Sequence, residues 1–474
     1  MTRSQKITLA VLCTATAMLM LDIAVVNTAL PSMAREFDAD LNSLKWVIDG
    51  YTLALATVVL TAGAWADRVG RRRVFIIGAI GFTVASAICS LSDGMLMLNI
   101  ARVVQGLAAA LLFATALALL AHAFPGRAQR TTALAAFGAT IGASFAVGPL
   151  LGGVLTQTID WRAIFVINVP LGALMLCGVA WIDESRSSAP RRGDVLGQLT
   201  VMVALGALTY GLFEAHSQGW SDATTLAALT VAAVAAALFL VVESIVPQPM
   251  LPLSMFANAG FAGAQVATFA ISASMFSVFV YVTIYLQGVA GMSPIEAGLV
   301  YLPGTLLMLV AAGVVDRILV RVRPWPLLAG GLLAVAAGLA WMTVVDTNGN
   351  GWELTGGFAL ACIGAGIFNP VMSGVVLAES HHDDAGLASG INDAFRQSGI
   401  ALGVAMLGAL FPADSVLTGG SPDGFVDGLR VALWVSGAIA LGGAILVVAT
   451  MRRARATVDD DTELEAPLAA DVRG

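Results

Sequence analysis

Charge is scarce in this chain. Of 474 residues only 12% are Asp, Glu, Lys or Arg, while 58% are hydrophobic. A soluble domain carries about 25% charged residues, so a surface that faces water on every side is excluded. Apolar content this high also excludes a chain that stays unfolded in water. Lysine is nearly missing: Lys6 and Lys45 are the two, and neither follows a glycine. A phosphate-binding loop needs Gly-Lys-Ser/Thr so that the lysine can reach the terminal phosphates, so ATP hydrolysis by that route is excluded. Cysteine and histidine number four each. Cys13, Cys89, Cys177 and Cys362 all fall in apolar stretches and form no CxxC pair, which excludes a secreted disulfide framework and a thiolate metal site. His381 and His382, beside Asp383 and Asp384, read as a solvated loop. No metal, no cofactor and no nucleic-acid partner are expected.

What remains is apolar length, with 50 glycines and a mean hydropathy of +0.86. A helix crossing the bilayer needs about 20 mostly apolar residues. Fourteen such stretches are present, near 7–30, 44–66, 74–92, 95–121, 132–157, 162–182, 195–213, 223–243, 261–286, 296–315, 326–345, 354–378, 388–411 and 429–450. They are continuous and lack the alternation of barrel strands. Backbone amides in lipid need internal partners, so an all-α polytopic membrane protein of fourteen transmembrane helices is predicted. The first stretch runs on through Asp22 and Asn27 without a small-residue cleavage site, so it reads as a retained span.

Basic residues set the orientation. With both termini in the cytoplasm, 18 of the 24 basic residues fall inside, among them Arg68, Arg71, Arg72, Arg73, Arg127, Arg130, Arg317, Arg321 and Arg323. Arg35, Lys45, Arg162 and Arg430 fall outside, and Arg102 and Arg396 lie within spans. The reverse orientation inverts that ratio. The net charge of −7 says little.

Ionisable groups at bilayer depth are expensive and point to function. Asp22, about fifteen residues into the first span, and Arg102, about seven residues into the fourth, fall at similar depth by the helical rise of 1.5 Å per residue. An opposite-charge pair is cheaper there than two isolated charges. It is either a static ion pair or a proton site, because desolvation favours the neutral acid while the arginine favours the anion. Asp49, three residues after Trp46, is either solvated at the interface or a cavity acid that attracts cations. Asp393 and Arg396 share a helix face at i and i+3.

Local patterns reinforce these positions. Leu21-Asp22-Ile23-Ala24-Val25-Val26-Asn27-Thr28-Ala29-Leu30-Pro31 ends the first span, and Gly63-Ala64-Trp65-Ala66-Asp67-Arg68-Val69-Gly70-Arg71-Arg72-Arg73 follows the second. Arg102-Val103-Val104-Gln105-Gly106 opens the fourth. The fifth carries Gly138, Gly142, Gly148-Pro149 and Gly152-Gly153, followed by Asp160-Trp161-Arg162 and Ile167-Asn168-Val169-Pro170. Taken together these motifs resemble those of the major facilitator superfamily, and within it the fourteen-span drug:proton antiporters. Two departures stand out: Ala24 where the family usually has Thr, and Trp65 where it has a smaller apolar residue. The resemblance implies proton coupling at Asp22 and Arg102. It further implies a conformational latch at Gly63, Asp67, Arg68, Gly70, Arg71 and Arg72, and an antiporter glycine stripe at Gly138, Gly142, Gly148, Pro149, Gly152 and Gly153. Physically, Asp67 could cap the next helix while Arg68 or Arg72 pairs with a neighbour. Small residues four apart allow close helix approach, and Pro149 bends its helix.

Asp316, Arg317 and Arg321 repeat Asp67, Arg68 and Arg72 at a constant offset of 249 residues, eight spans later. Two six-helix bundles with two inserted helices follow from that offset. The expected division is a first bundle at 1–183, a linker with the inserted helices at 184–252, a second bundle at 253–451 and a disordered cytoplasmic tail at 452–474. Residues expected around a substrate cavity are Asn27, Trp46, Asp49, Tyr51, Gln105, Phe145, Asn392, Arg396 and Gln397. The reading is a proton-coupled exporter of hydrophobic, cationic or neutral drugs in a bacterial cytoplasmic (inner) membrane. Its partners are the lipid bilayer, protons and small hydrophobic substrates, and it is expected to act as a monomer and not as an enzyme. Alternatives left open are an importer or exporter of an endogenous metabolite, and a non-transporting receptor or subunit.

Overall fold

The computed structural model describes residues 1–186, 194–319, 322–379, 385–412 and 416–465. The side chains of Phe145, Asp316, Arg317 and Arg321 lie outside the described residues, so the cavity role of Phe145 and the second latch have no structural account. Fourteen long helices carry the fold. They are α1 (Arg3–Phe37), α2 (Leu41–Val69), α3 (Arg71–Ser90), α4 (Met95–Ala123), α5 (Arg127–Thr158), α6 (Ala163–Trp181) and α7 (Val195–Ser217). They continue with α8 (Ala223–Ile245), α9 (Ala259–Val289), α10 (Pro294–Leu319), α11 (Pro324–Trp341), α12 (Leu354–Ala378), α13 (Ala385–Gly408) and α14 (Pro422–Glu465). No strand occurs among the described residues.

Twelve of these helices are long and apolar enough to cross a membrane. The other two are the informative ones. α5 is bent by 42° between its segments Ala136–Ser144 and Ala146–Thr158. Pro149 lacks the N–H that would bond the carbonyl four residues back, at that break. α13 has 24 residues, enough to span, but Asn392, Asp393, Arg396 and Gln397 lower its hydropathy. α14 stays helical to Glu465, beyond the end near 450 read from hydropathy and into the stretch where composition suggested disorder. The Ala and Arg residues after Met451 are good helix formers and extend the last span without a break.

Polar side chains set the helix ends. Thr2 and Gln5 form a capping box on α1, and Asp40, Asp222 and Asn258 accept from the first free amides of α2, α8 and α9. Gly70, at φ +125°, makes the sharp reversal between α2 and α3 that a side chain would oppose.

Helix neighbours repeat at an offset of eight. α1 packs on α5 and α6, α2 on α4, and α3 on α4 and α6; likewise α9 packs on α13 and α14, α10 on α12, and α11 on α12 and α14. The two halves meet along two seams, α2 against α13 and α5 against α10, which exchange under the same offset. α7 and α8 pack on each other, and α7 also touches α2 and α13, so the inserted pair lies over one seam.

Candidate functional site

The centre of the site is a buried polar knot between α1, α3, α4 and α6. Asp22 and Arg102 are each 1% exposed. Arg102 donates through one terminal nitrogen to Asp22 Oδ2 at 2.5 Å and to Gln105 Oε1 at 2.6 Å, and through Nε to the Val47 carbonyl at 2.9 Å. Asp22 Oδ1 accepts from Gln105 Nε2 at 2.9 Å and from Asn168 Nδ2 at 3.1 Å. Both amides also donate to Ser86 Oγ, at 2.7 and 3.3 Å. α6 can deliver Asn168 because Pro170 leaves the Val166 carbonyl without its helical donor, and the helix breaks at Ile167. Three donors, from Arg102, Gln105 and Asn168, thus converge on the two oxygens of Asp22.

Arg102 stands between this knot and a cavity. Its guanidinium lies 4.3 Å from the centre of the Tyr51 ring. Both line a cleft between the halves, which includes Asn27 and Pro149 on one side and Met275, Phe279, Met308 and Phe358 on the other. Asp22 is not on its wall. Little of the space between these walls is enclosed. The cleft is therefore a narrow slot with room for a few waters, too tight for a drug-sized guest in this state. Asn27 Oδ1 and Tyr51 Oη are buried polar atoms without a partner in the described structure, two polar handles on a mostly apolar wall.

The halves are tied toward one end. Gln287 Nε2 donates to the Thr28 carbonyl at 2.8 Å, Ile295 N donates to Gln157 Oε1 at 3.1 Å, and Thr305 Oγ1 donates to the Ala146 carbonyl at 2.8 Å. These lie at mid-depth or toward the end opposite Arg68–Arg73. Among the described residues no hydrogen bond crosses at the arginine-rich end.

Other expected site residues sit elsewhere. Asp49 is 0% exposed, so it is not solvated at an interface, and neither carboxylate oxygen has a hydrogen-bond partner. Lys45, one turn earlier, is also buried, with Nζ 5.3 Å from the Phe213 ring centre. It is a helix-interior charge and not the loop charge assumed in fixing orientation. Trp46 packs edge-on against Phe213 of α7 and does not line the cavity. Gln105 belongs to the Asp22 knot. Asn392 donates to Gln265 Oε1 at 3.1 Å and Thr268 Oγ1 at 2.8 Å, between α9 and α13. Asp393 and Arg396 are 3.7 Å apart, and Gln397 is buried. None of these four lines the cleft, and Asn392 bonds within its own half.

At the reversal after α2, Asp67 does not cap α3. It pairs with Arg71 one turn on, at 2.7 Å. The amide of Arg72 donates instead to Glu184 Oε1 at 3.0 Å, and Arg71 N donates to the Ser185 carbonyl at 3.0 Å. Glu184 also lies 3.8 Å from Arg73. The latch residues Arg68 and Arg72 form no ion pair among the described residues. Gly63 lies against Ala114 of α4, where a Cβ fits at ordinary contact distance.

The glycine stripe of α5 serves two partners. A Cβ on Gly148 or Gly152 would strike Ala24 or Thr28 of α1, whose four-residue spacing matches theirs. That close approach accounts for Ala24. A Cβ on Gly142 would lie 2.9 Å from Leu309 of α10, and one on Gly153 would strike Pro294 across the second seam. Gly138 has nothing within 4 Å.

The model of the family described as Major Facilitator Superfamily matches residues 12–404. The chain belongs to the Major Facilitator Superfamily. It is thus a membrane transport protein of this fold and not an enzyme. The tetracenomycin C resistance and export protein of Streptomyces glaucescens is 33% identical over 398 residues, 83% of this chain and 73% of that one. The puromycin resistance protein of Streptomyces alboniger is 35% identical over 451 residues, covering 92% and 89%. The multidrug resistance protein Stp of Mycobacterium tuberculosis is 33% identical over 417 residues, covering 87% and 77%. Among solved structures, a peptide transporter in complex with sulfate superposes with a TM-score of 0.68 at 15% identity, covering 94% of both chains. A human organic anion transporter gives 0.63 at 14%, covering 94% of this chain and 99% of that one. At such identity these two establish the fold alone.

Proposed function

We propose that this transporter exports hydrophobic, cationic or neutral compounds across the bacterial cytoplasmic membrane by proton-coupled antiport with alternating access. The observation that carries the reading is the Asp22–Arg102 knot: a buried charge pair of which the arginine, and not the acid, faces the cavity. Relatives named for antibiotic resistance and export, at about one-third identity, support the direction of transport.

With the basic loops placed in the cytoplasm, the tied end is external and the looser end is internal. The described state then corresponds to the cytoplasm-side branch of the cycle, with Arg102 engaged on Asp22. A hydrophobic guest widens the slot between the Tyr51 and Phe358 walls, and the halves rock about the α2–α13 and α5–α10 seams. On the external branch a proton on Asp22 releases Arg102 toward the cavity, where its charge repels a cationic guest. Return of the halves restores the pair and expels the proton inward. Asp49, two residues before the cleft-lining Tyr51, supplies a further carboxyl group that a cationic guest could engage. The halves correspond to 1–183 and 253–451, and a single chain contains the whole path.

The test is export into everted membrane vesicles energised by a pH gradient. Asp22→Asn should insert normally but lose gradient-driven uptake of substrate; full uptake by that variant removes Asp22 from the coupling step. An importer on the same fold predicts accumulation in right-side-out vesicles instead.

A further inference from the structure

The inserted helices carry an acidic pair that transport does not use. Asp194 stands at the N-cap of α7 and Glu243 in the last turn of α8, at the arginine-rich end. They are 6% and 3% exposed. Each has one satisfied oxygen: Asp194 Oδ1 accepts from Gly197 N at 2.8 Å, and Glu243 Oε2 from Leu251 N at 2.9 Å. Their other oxygens, Asp194 Oδ2 and Glu243 Oε1, are buried with no hydrogen-bond partner. These two converge on one point, since a Cβ built on Gly197 would lie 2.5 Å from the first and 2.6 Å from the second. Both oxygens thus border the same small space beside Gly197. Among the described residues neither acid has a lysine or arginine partner. On the packed elements, Asp67 of α2 is taken by Arg71, and Asp393 of α13 by Arg396. Arg68 of α2 makes no ion pair among the described residues. Arg191 and Arg192 lie outside the described residues. Beside the pair, Gln198 of α7 accepts from the Thr61 hydroxyl of α2, which joins the inserted helices to the first half.

Two facing anions repel, and neither can donate to the other. One proton removes both problems, because it turns one acid into a donor and cancels one charge. We infer that Asp194 and Glu243 hold a single proton between them, and that this carboxyl–carboxylate bond clasps the inserted helix pair shut. The space at Gly197 is part of the site, since any side chain there would enter it. The proton is drawn from water on the arginine-rich side and returns there; the central cavity is not on its route, so the inference stands independently of the transport reading.

Titration of the protein in lipid nanodiscs tests it. Infrared spectra at neutral pH should contain a protonated-carboxyl band that Asp194→Asn and Glu243→Gln each remove, because the amide then donates to an ionised partner. The folded state holds a proton that the unfolded chain releases, so thermal stability falls as pH rises through its loss. That fall should be absent in both amide variants, which keep a donor at every pH. Variant spectra that match the wild type, or the same fall with rising pH in both variants, would overturn the inference. Should the variants fail to fold, the wild type still decides: a melting temperature that does not fall anywhere between mildly acidic and alkaline pH refutes the shared proton.

Discussion

Replacement of Arg102 by alanine removes the one cation facing Asp22. Arg102 makes two charge-assisted or polar hydrogen bonds in the knot, a third to the Val47 carbonyl, and a ring contact with Tyr51 at 4.3 Å. Breaking a buried pair by removing one partner costs about 3–5 kcal/mol, chiefly because the surviving charge stays buried. Asp22→Asn alone strands the arginine and should cost a comparable amount. The double variant strands neither charge, so its cost should fall short of the sum by about 2 kcal/mol or more. Reversible unfolding in mixed micelles, read as a double-mutant cycle, measures that shortfall. Arg102→Lys should recover part of the stability but not the simultaneous bonds to Asp22, Gln105 and Val47, since an ammonium lacks the planar fork. Additivity within about 0.5 kcal/mol would refute the argument, because it would mean that the two charges do not sense each other.

Three further outcomes follow from the packing. Gly152→Ala puts a methyl 2.8 Å from the Val25 carbonyl and 2.9 Å from its Cα; backbone cannot yield cheaply, so the melting temperature should drop by an overpacking cost of about 1–3 kcal/mol, whereas Gly138→Ala, with open space, should melt like the wild type. Glu184→Ala leaves the Arg72 amide without its acceptor and should lower stability by about 0.5–2 kcal/mol, the usual cost of a lost cap, while Asp67→Ala loses only a half-exposed pair worth about 0.5 kcal/mol; thermal melts compare the two. Asp49→Asn should retain fold and transport of neutral compounds but weaken export of cations, as growth-inhibition panels with charged and uncharged drugs would reveal; equal loss for both classes would assign Asp49 a structural part.

The sequence exposes features that depend on segment length and on rare residues. Fourteen apolar stretches match fourteen helices, and the offset-of-eight repeat reappears in which helices touch. Asp22 and Arg102 were legible as a pair because charges in apolar spans are few and their depths agree. Their companions were harder to see. Ser86 is one of three hydroxyl residues in its span, with Thr83 and Ser90, and nothing in the helix singles it out; the place of Asn168 in the knot depends on a helix break at Ile167. α2, α5 and α13 touch other helices on several sides, so apolar periodicity does not fix which way a side chain faces. That ambiguity misplaced Trp46 and Asn392 toward the cavity and Lys45 toward the water. The cap at Asp67 failed for a different reason: Glu184, 112 residues away from Arg72, takes the amide that local sequence assigned to Asp67.

The central claim is that Asp22 exchanges a proton against substrate. It is tested most directly by substrate-induced proton release from purified protein in weakly buffered detergent solution. The wild type should release protons on addition of a transported drug, and Asp22→Asn should bind the same drug without release. Equal proton release from that variant would contradict the account.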